Sequence, residues 1–298
     1  MHSSPGFLEA SIVSLVLALG LRGTPQDALF FACRPRLLLR TFVATQLLIP
    51  LLVMSVLSAL PVSSEVIVGA TLLVISPSVA LLSQTELRRH GRSPVVLASS
   101  AMGALTSIAT VPVWLIVVSQ LFLTDATIAP TAVMRLIGTL FLLPLVLAIL
   151  LRRLAPVMAK VSGPLIVAAD VLLLVVLLSF ARDSMMEFRR LGVVSIAAFA
   201  ALSIGAVLMG HLAGGRDAPD RSLIGVLSGV RHPGLALLIA KYNFDGGLVL
   251  PAVVMSLLIG LVVTLAYAVW RRQRERADDS LVRPALPAET MLAPPASQ

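Results

Sequence analysis

The sequence predicts an all-α polytopic membrane protein: nine transmembrane helices forming inverted repeats, with one broken helix in each repeat. Three observations predict it. Long apolar runs occupy nearly the whole chain. Lys and Arg gather in alternate loops. Two of the apolar runs are interrupted by a proline, with polar residues beside it, at matching places.

The chain is 58% hydrophobic and 13% charged, against about 25% charged residues in a soluble domain. Its net charge of +8 is not a nucleic-acid signal. The basic residues lie between apolar spans, only two of them are Lys, and no basic face with interleaved aromatics is present. The partner this composition implies is the lipid bilayer, with no nucleic acid. A single cysteine, Cys33, excludes an intrachain disulfide and a cysteine-rich metal site. Neither a metal nor any other cofactor is expected. The residues before the first apolar run carry no Lys or Arg. They lack the basic region of a cleaved signal peptide and are read as part of the mature chain.

A bilayer core of about 30 Å needs roughly 20 apolar residues per helix. The first span, Pro5 to Leu21, is short. The second is Leu37 to Leu60 and the third, Val66 to Leu87, carries the first break at Pro77. The fourth and fifth are Pro94 to Leu121 and Pro130 to Leu151. Lys160 to Ala181 and Leu191 to Ala213 follow. The eighth, Ser222 to Ala240, carries the second break at Pro233, and Gly247 to Trp270 is the ninth. Seventeen Lys or Arg fall in one set of loops and the tail. Only Arg182, Arg189, Arg190 and Lys241 fall in the other set. By the positive-inside rule the N-terminus is outside the cell membrane and the C-terminus cytoplasmic. The third span then runs inward and the eighth outward. Residues 5–121 and 160–270 become inverted repeats within one transporter domain, residues 1–270, and the fifth span has no partner. Residues 271–298 read as a disordered cytoplasmic tail, Pro-, Ala- and Ser-rich from Ala277 onward.

The breaks carry the candidate chemistry. A proline removes a backbone donor and clashes with the preceding turn. Inside hydrocarbon the freed groups are tolerated only within protein or against a water-filled cavity. Paired interrupted spans point to a carrier's binding site. Arg231 lies about ten residues into the eighth span, near mid-membrane at 1.5 Å per residue. It needs an anionic partner, either a substrate or Asp170, which counting places at similar depth in the sixth span. Half-helices starting at Ser78 and Gly234 would point positive dipole ends at an anion. His232 is either a titrating group or a neighbour of the kink, and Gln46 a binding group or an interhelical hydrogen bonder. Arg231, His232, Gly234, Ser78 and Gln46 form the candidate substrate site. Asp170, Ser83, Gln84 and Ser100 form the candidate ion or proton site. Motifs for nucleotide binding, zinc hydrolysis and serine hydrolysis are absent.

From about Leu17 to Trp270 the chain resembles the bile acid:sodium symporter family. The resemblance rests on Leu17-Ala-Leu-Gly-Leu-Arg-Gly-Thr-Pro-Gln-Asp27 and Arg34-Pro-Arg-Leu-Leu-Leu39. It continues with Thr45-Gln46 ahead of Ile49-Pro50, Pro77 followed by His90-Gly91, and Ser228-Gly-Val-Arg-His-Pro-Gly-Leu-Ala236. It implies panel and core domains, two crossed broken helices and secondary transport of a small organic anion by alternating access. Aligned on Gly234, the family has Glu at Leu227 and Gln, Asn and Ser at Arg231, His232 and Pro233. Aligned on Pro77, the family's Ser-Asn pair falls on Leu82 and Ser83, and its later sodium-liganding hydroxyls on Val96 and Ser100. On these departures sodium coupling is not expected, and proton coupling through Asp170 takes its place. Two other classes remain open: a membrane-embedded enzyme using Asp170 and His232, and a non-transporting sensor.

Overall fold

The computed structural model describes residues 5–22, 34–77, 93–122, 130–229, 231–244 and 247–282. All their regular structure is helical. Helix α1 is Pro5–Arg22. Helix α2 runs as Pro35–Phe42, a π-helical stretch Val43–Leu48, then Ile49–Ser58. Helix α3 is Ser64–Ile75 and α4 is Ser93–Phe122. Helix α5 runs as Pro130–Ile137, π-helical Gly138–Leu142, then Leu143–Leu154. Helices α6 (Ser162–Asp183) and α7 (Gly192–Ala213) each follow a short 3-10 turn. Helix α8 is Ala218–Gly229, α9 is Pro233–Asn243 and α10 is Val249–Val282.

Seven helices among the described residues are long and apolar enough to cross a membrane. The two expected spans outside that set are the first, which is the 18-residue α1, and the third, described only through α3 and the residues up to Pro77. Residues 271–276 and on to Val282, expected in a disordered tail, continue helix α10. Residues 283–298 lie outside the described residues.

Local sequence sets the starts. Prolines open α1, the first segments of α2 and α5, and α9, where the missing N–H costs nothing and φ is preset for a helix. Gly247 has φ of +71°, a left-handed turn that suits glycine. It leads the Leu248 N–H to donate to Glu65 Oε2 at 2.9 Å, fastening the start of α10 to the start of α3.

Helix α1 packs on α5 and α6. The remaining helices pack mostly among themselves, with α7 against α2, α8 and α10, and α3 against α2, α4, α9 and α10. Contacts of α1 with α9, α4 with α5 and α6 with α10 join the two groups. Helices α5 and α6 leave Leu143, Leu150, Val167, Leu174 and Leu178 exposed, an apolar belt of the kind lipid covers. The stretch Asp220–Asn243 is enclosed instead. An 18-residue window of it is 88% buried inside the protein, against 28% for such a window of Pro156–Asp183, so the break between α8 and α9 lies within protein, as a polar backbone in hydrocarbon requires.

Candidate functional site

Three chain interruptions converge, and each frees backbone groups. The first is Pro50. It has no N–H to give to the carbonyl of Gln46, four residues back, or of Thr45, five residues back. The Ile49 N–H donates to the Ala44 carbonyl instead, giving the π-helical stretch. Two carbonyls are thereby released inside the protein. The indole Nε1–H of Trp114, on α4, donates to the Gln46 carbonyl at 2.8 Å. An Arg231 Nη2–H donates to the Thr45 carbonyl at 2.5 Å.

The second interruption ends α3. Ser76 turns to extended backbone (ψ 152°), as a residue before proline must. Its carbonyl accepts from Arg231 Nη1 at 3.4 Å, and its hydroxyl donates back to the Leu72 carbonyl at 2.8 Å. The third separates α8 from α9, and there the two breaks meet. The backbone N–H of His232 donates to the carbonyl of Pro77 at 3.1 Å. The His232 ring turns back and caps its own helix, with Nδ1 accepting the Gly234 N–H at 3.1 Å. An accepting Nδ1 places the neutral ring's proton on Nε2. His232 is fully buried, and its Nε2 has no hydrogen-bond partner among the described residues.

Arg231 is thus a buried cation, 3% exposed, whose charge is met by carbonyl oxygens of α2 and of the end of α3. A cation at the negative end of a helix dipole is favoured. Beside it lies a cavity of about 40 Å³ walled by α2, α3, α7, α8 and α10, with Ser203, Ser228 and Ser256 among its lining. That volume admits a water molecule or two and is far below the 300 Å³ or more of ordinary ligand pockets.

The opposite face of the crossing meets the α1–α5–α6 group. A Cβ at Gly234 would stand 2.5 Å from Ile12 Cδ1 of α1, so glycine there is a condition of α1 packing on α9. Phe141, in the π-helical stretch of α5, sets its ring at 90° to that of His232, with centroids 6.1 Å apart. Near the start of α1 and the end of α9, the Tyr242 hydroxyl donates to Glu9 Oε1 at 3.0 Å.

The structure thus brings Pro77, Arg231, His232, Pro233 and Gly234 to one crossing, with Gln46 beside it. Gln46 contributes its backbone carbonyl, and its side-chain Oε1 is buried without a partner. Asp170 is not joined to this cluster. No ion pair links it to Arg231, and its Oδ1 is enclosed without a hydrogen-bond partner among the described residues. On the preceding residue, the Ala169 carbonyl accepts from the Ser11 hydroxyl of α1 at 3.0 Å. Ser100 belongs to α4, whereas Ser78, Ser83 and Gln84 lie outside the described residues. Sequence reasoning missed Thr45 as an acceptor for Arg231, and Trp114 and Phe141 altogether. Pro50 was the signal for the first two, since it points back at the carbonyls it frees. No His, Cys, Asp and Glu cluster able to hold a metal ion occurs among the described residues. No protein-family model and no curated protein matches the chain.

Proposed function

We propose that the chain is a secondary carrier of a small organic anion, similar to bile acid:sodium symporters, working by alternating access. The observation that carries this reading is the meeting of two helix breaks, His232 N–H to Pro77 carbonyl, inside an enclosed span. Self-pairing of the halves supports the inverted repeat: α1 packs on α6, α2 on α7, and the breaks on each other. The group α1, α5 and α6 is the moving partner, or panel, and the remaining helices are the core. On this reading nine spans cross a cell membrane, N-terminus outside and C-terminus cytoplasmic.

The substrate seat is the face of the crossing that Ile12 and Phe141 cover. Withdrawal of α1 from Gly234 exposes the start of α9, whose backbone N–H groups favour an anion. Arg231, behind the crossing, supplies positive potential through a low-dielectric wall. Its guanidinium already satisfies the Thr45 and Ser76 carbonyls, the oxygens an alkali cation would otherwise take. It is a tethered cation, and sodium is not the coupling ion. Asp170, with an enclosed unpartnered oxygen beside the α1–α6 contact, is the proton site.

Flux of radiolabelled organic acids into proteoliposomes tests this. An acid-outside pH gradient is expected to drive accumulation, with little change when sodium is replaced by choline. Asp170→Asn is expected to keep binding and lose the pH response. Absence of flux for every acid that binds the protein would favour the sensor instead, and steep sodium dependence would refute the tethered-cation reading.

A further inference from the structure

A second site lies where α2 begins and the turn between α7 and α8 closes over it. A cavity of about 440 Å³ there is lined by Arg34, Arg36, Arg40 and Arg216, together with Asp217 and Asp220. The charges are not matched. Arg34 Nη1 pairs with the buried Asp220 Oδ2 at 3.1 Å, which accounts for one cation and one anion. Asp217 is exposed. The guanidinium groups of Arg36, Arg40 and Arg216 make no hydrogen bond or ion pair among the described residues. Elsewhere Arg152 and Arg271 spend their donors on carbonyl or hydroxyl oxygens. Arg221, at the edge of the same turn, donates to the Gly215 carbonyl at 2.5 Å, holding the turn in place. No side chain caps the start of α2, so its first backbone N–H groups add to the positive field.

Three unmatched guanidiniums and an uncapped helix start around one concavity suit a tetrahedral anion, because guanidinium binds phosphate oxygens in pairs. The level in the bilayer narrows the source. The cavity sits where two apolar helices, Pro35–Ser58 and Glu187–Ala213, reach their polar ends. Leu39, beside Arg40, is 63% exposed and offers an apolar surface next to the charges. We infer that this cavity binds the phosphate group of an anionic phospholipid, headgroup among the arginines and chains along Leu39. On the positive-inside assignment it belongs to the cytoplasmic leaflet, where anionic lipid attracts basic residues.

The test uses the full-length protein in mixed micelles and a fluorescent-tailed phosphatidylglycerol. Each basic residue at an anionic surface is worth roughly fivefold in affinity, so Arg36→Gln/Arg40→Gln/Arg216→Gln is expected to weaken binding on the order of a hundredfold. Asp217→Asn, which removes the one unpaired negative lining group, is expected to tighten it. Phosphatidylcholine is expected not to compete. Competition by millimolar inorganic phosphate as effective as by the lipid would keep the site and assign it to soluble phosphate. Equal binding by the wild type and the triple variant, with both monodisperse and of equal melting temperature, would overturn the proposal. If the triple variant does not fold, unchanged binding by Asp217→Asn overturns it instead.

Discussion

Removal of Arg231 tests the site's central piece of physics. Among the described residues, Arg231→Ala deletes charge-assisted hydrogen bonds to the Thr45 and Ser76 carbonyls. Those carbonyls cannot turn to backbone donors, because Pro50 and the break at Pro77 removed the ones they would have used. Each buried acceptor left open costs about 1–3 kcal/mol, giving a gross loss of about 2–6 kcal/mol. The opposing term is relief from burying a guanidinium that is 3% exposed, several kcal/mol per ion. The two terms are of similar size and opposite sign, so they largely cancel in the stability. The space and the ligands decide the outcome. The variant holds two open carbonyls facing a cavity enlarged by a whole side chain, and such a site takes a small cation. Melting temperature of the detergent-solubilised variant is therefore expected to rise with millimolar guanidinium or sodium and not with tetramethylammonium. Wild type is expected to respond to none of them. A hundredfold excess of cation over its dissociation constant corresponds to about 2.7 kcal/mol, a readily measured shift. Transport lost in choline medium is expected to recover in part with the same cations. A variant indifferent to guanidinium and sodium, with unimpaired transport, would refute the view of Arg231 as a tethered cation.

Three further outcomes are expected. Gly234→Val drives a side chain into Ile12 and the His232 ring and is expected to cost about 1–3 kcal/mol and to slow flux; Ile12→Ala in the same chain should restore part of both, measured by melting and uptake. Trp114→Phe leaves the Gln46 carbonyl open at a cost of about 1–3 kcal/mol, whereas Pro50→Ala gives it a backbone donor again. A double-mutant cycle on thermal unfolding should therefore show coupling between the two positions. Cys33 is expected on the cytoplasmic side, labelled in intact cells by a permeant maleimide and not by an impermeant one; efficient impermeant labelling would reverse the assigned orientation.

Much of this arrangement was legible as conflict between neighbouring residues. Pro77, Pro233 and Arg231 each violate an apolar helical context, and the structure brings them together. The α-helical class and membrane character followed from run length and charge density alone. Azimuth was not legible. Counting along a helix gives depth, so Asp170 and Arg231 came out level, but depth does not say which way a side chain faces, and the two are not paired. Gln46 drew notice through its amide, yet it is the carbonyl, released by Pro50, that finds a partner. In sequence, residues 271–282 group with the Pro-, Ala- and Ser-rich stretch that follows from Ala277. Arg, Gln, Glu and Ala are nonetheless strong helix formers, and they extend a helix already nucleated upstream, where propagation is cheap.

The enclosed Asp220–Asn243 stretch also bears on how the protein is made. An arginine at the centre of an isolated helix opposes insertion by about 2.5–3.5 kcal/mol, and this one adds an interrupted backbone. Alone in lipid, that segment is a poor guest. Its acceptors, the carbonyls of Thr45, Ser76 and Pro77, belong to helices synthesised more than a hundred residues earlier. They are in the bilayer before Arg231 leaves the ribosome. Chain order thus supplies a receiver ahead of the segment that needs one, and a chain with its halves exchanged would have to insert the arginine first.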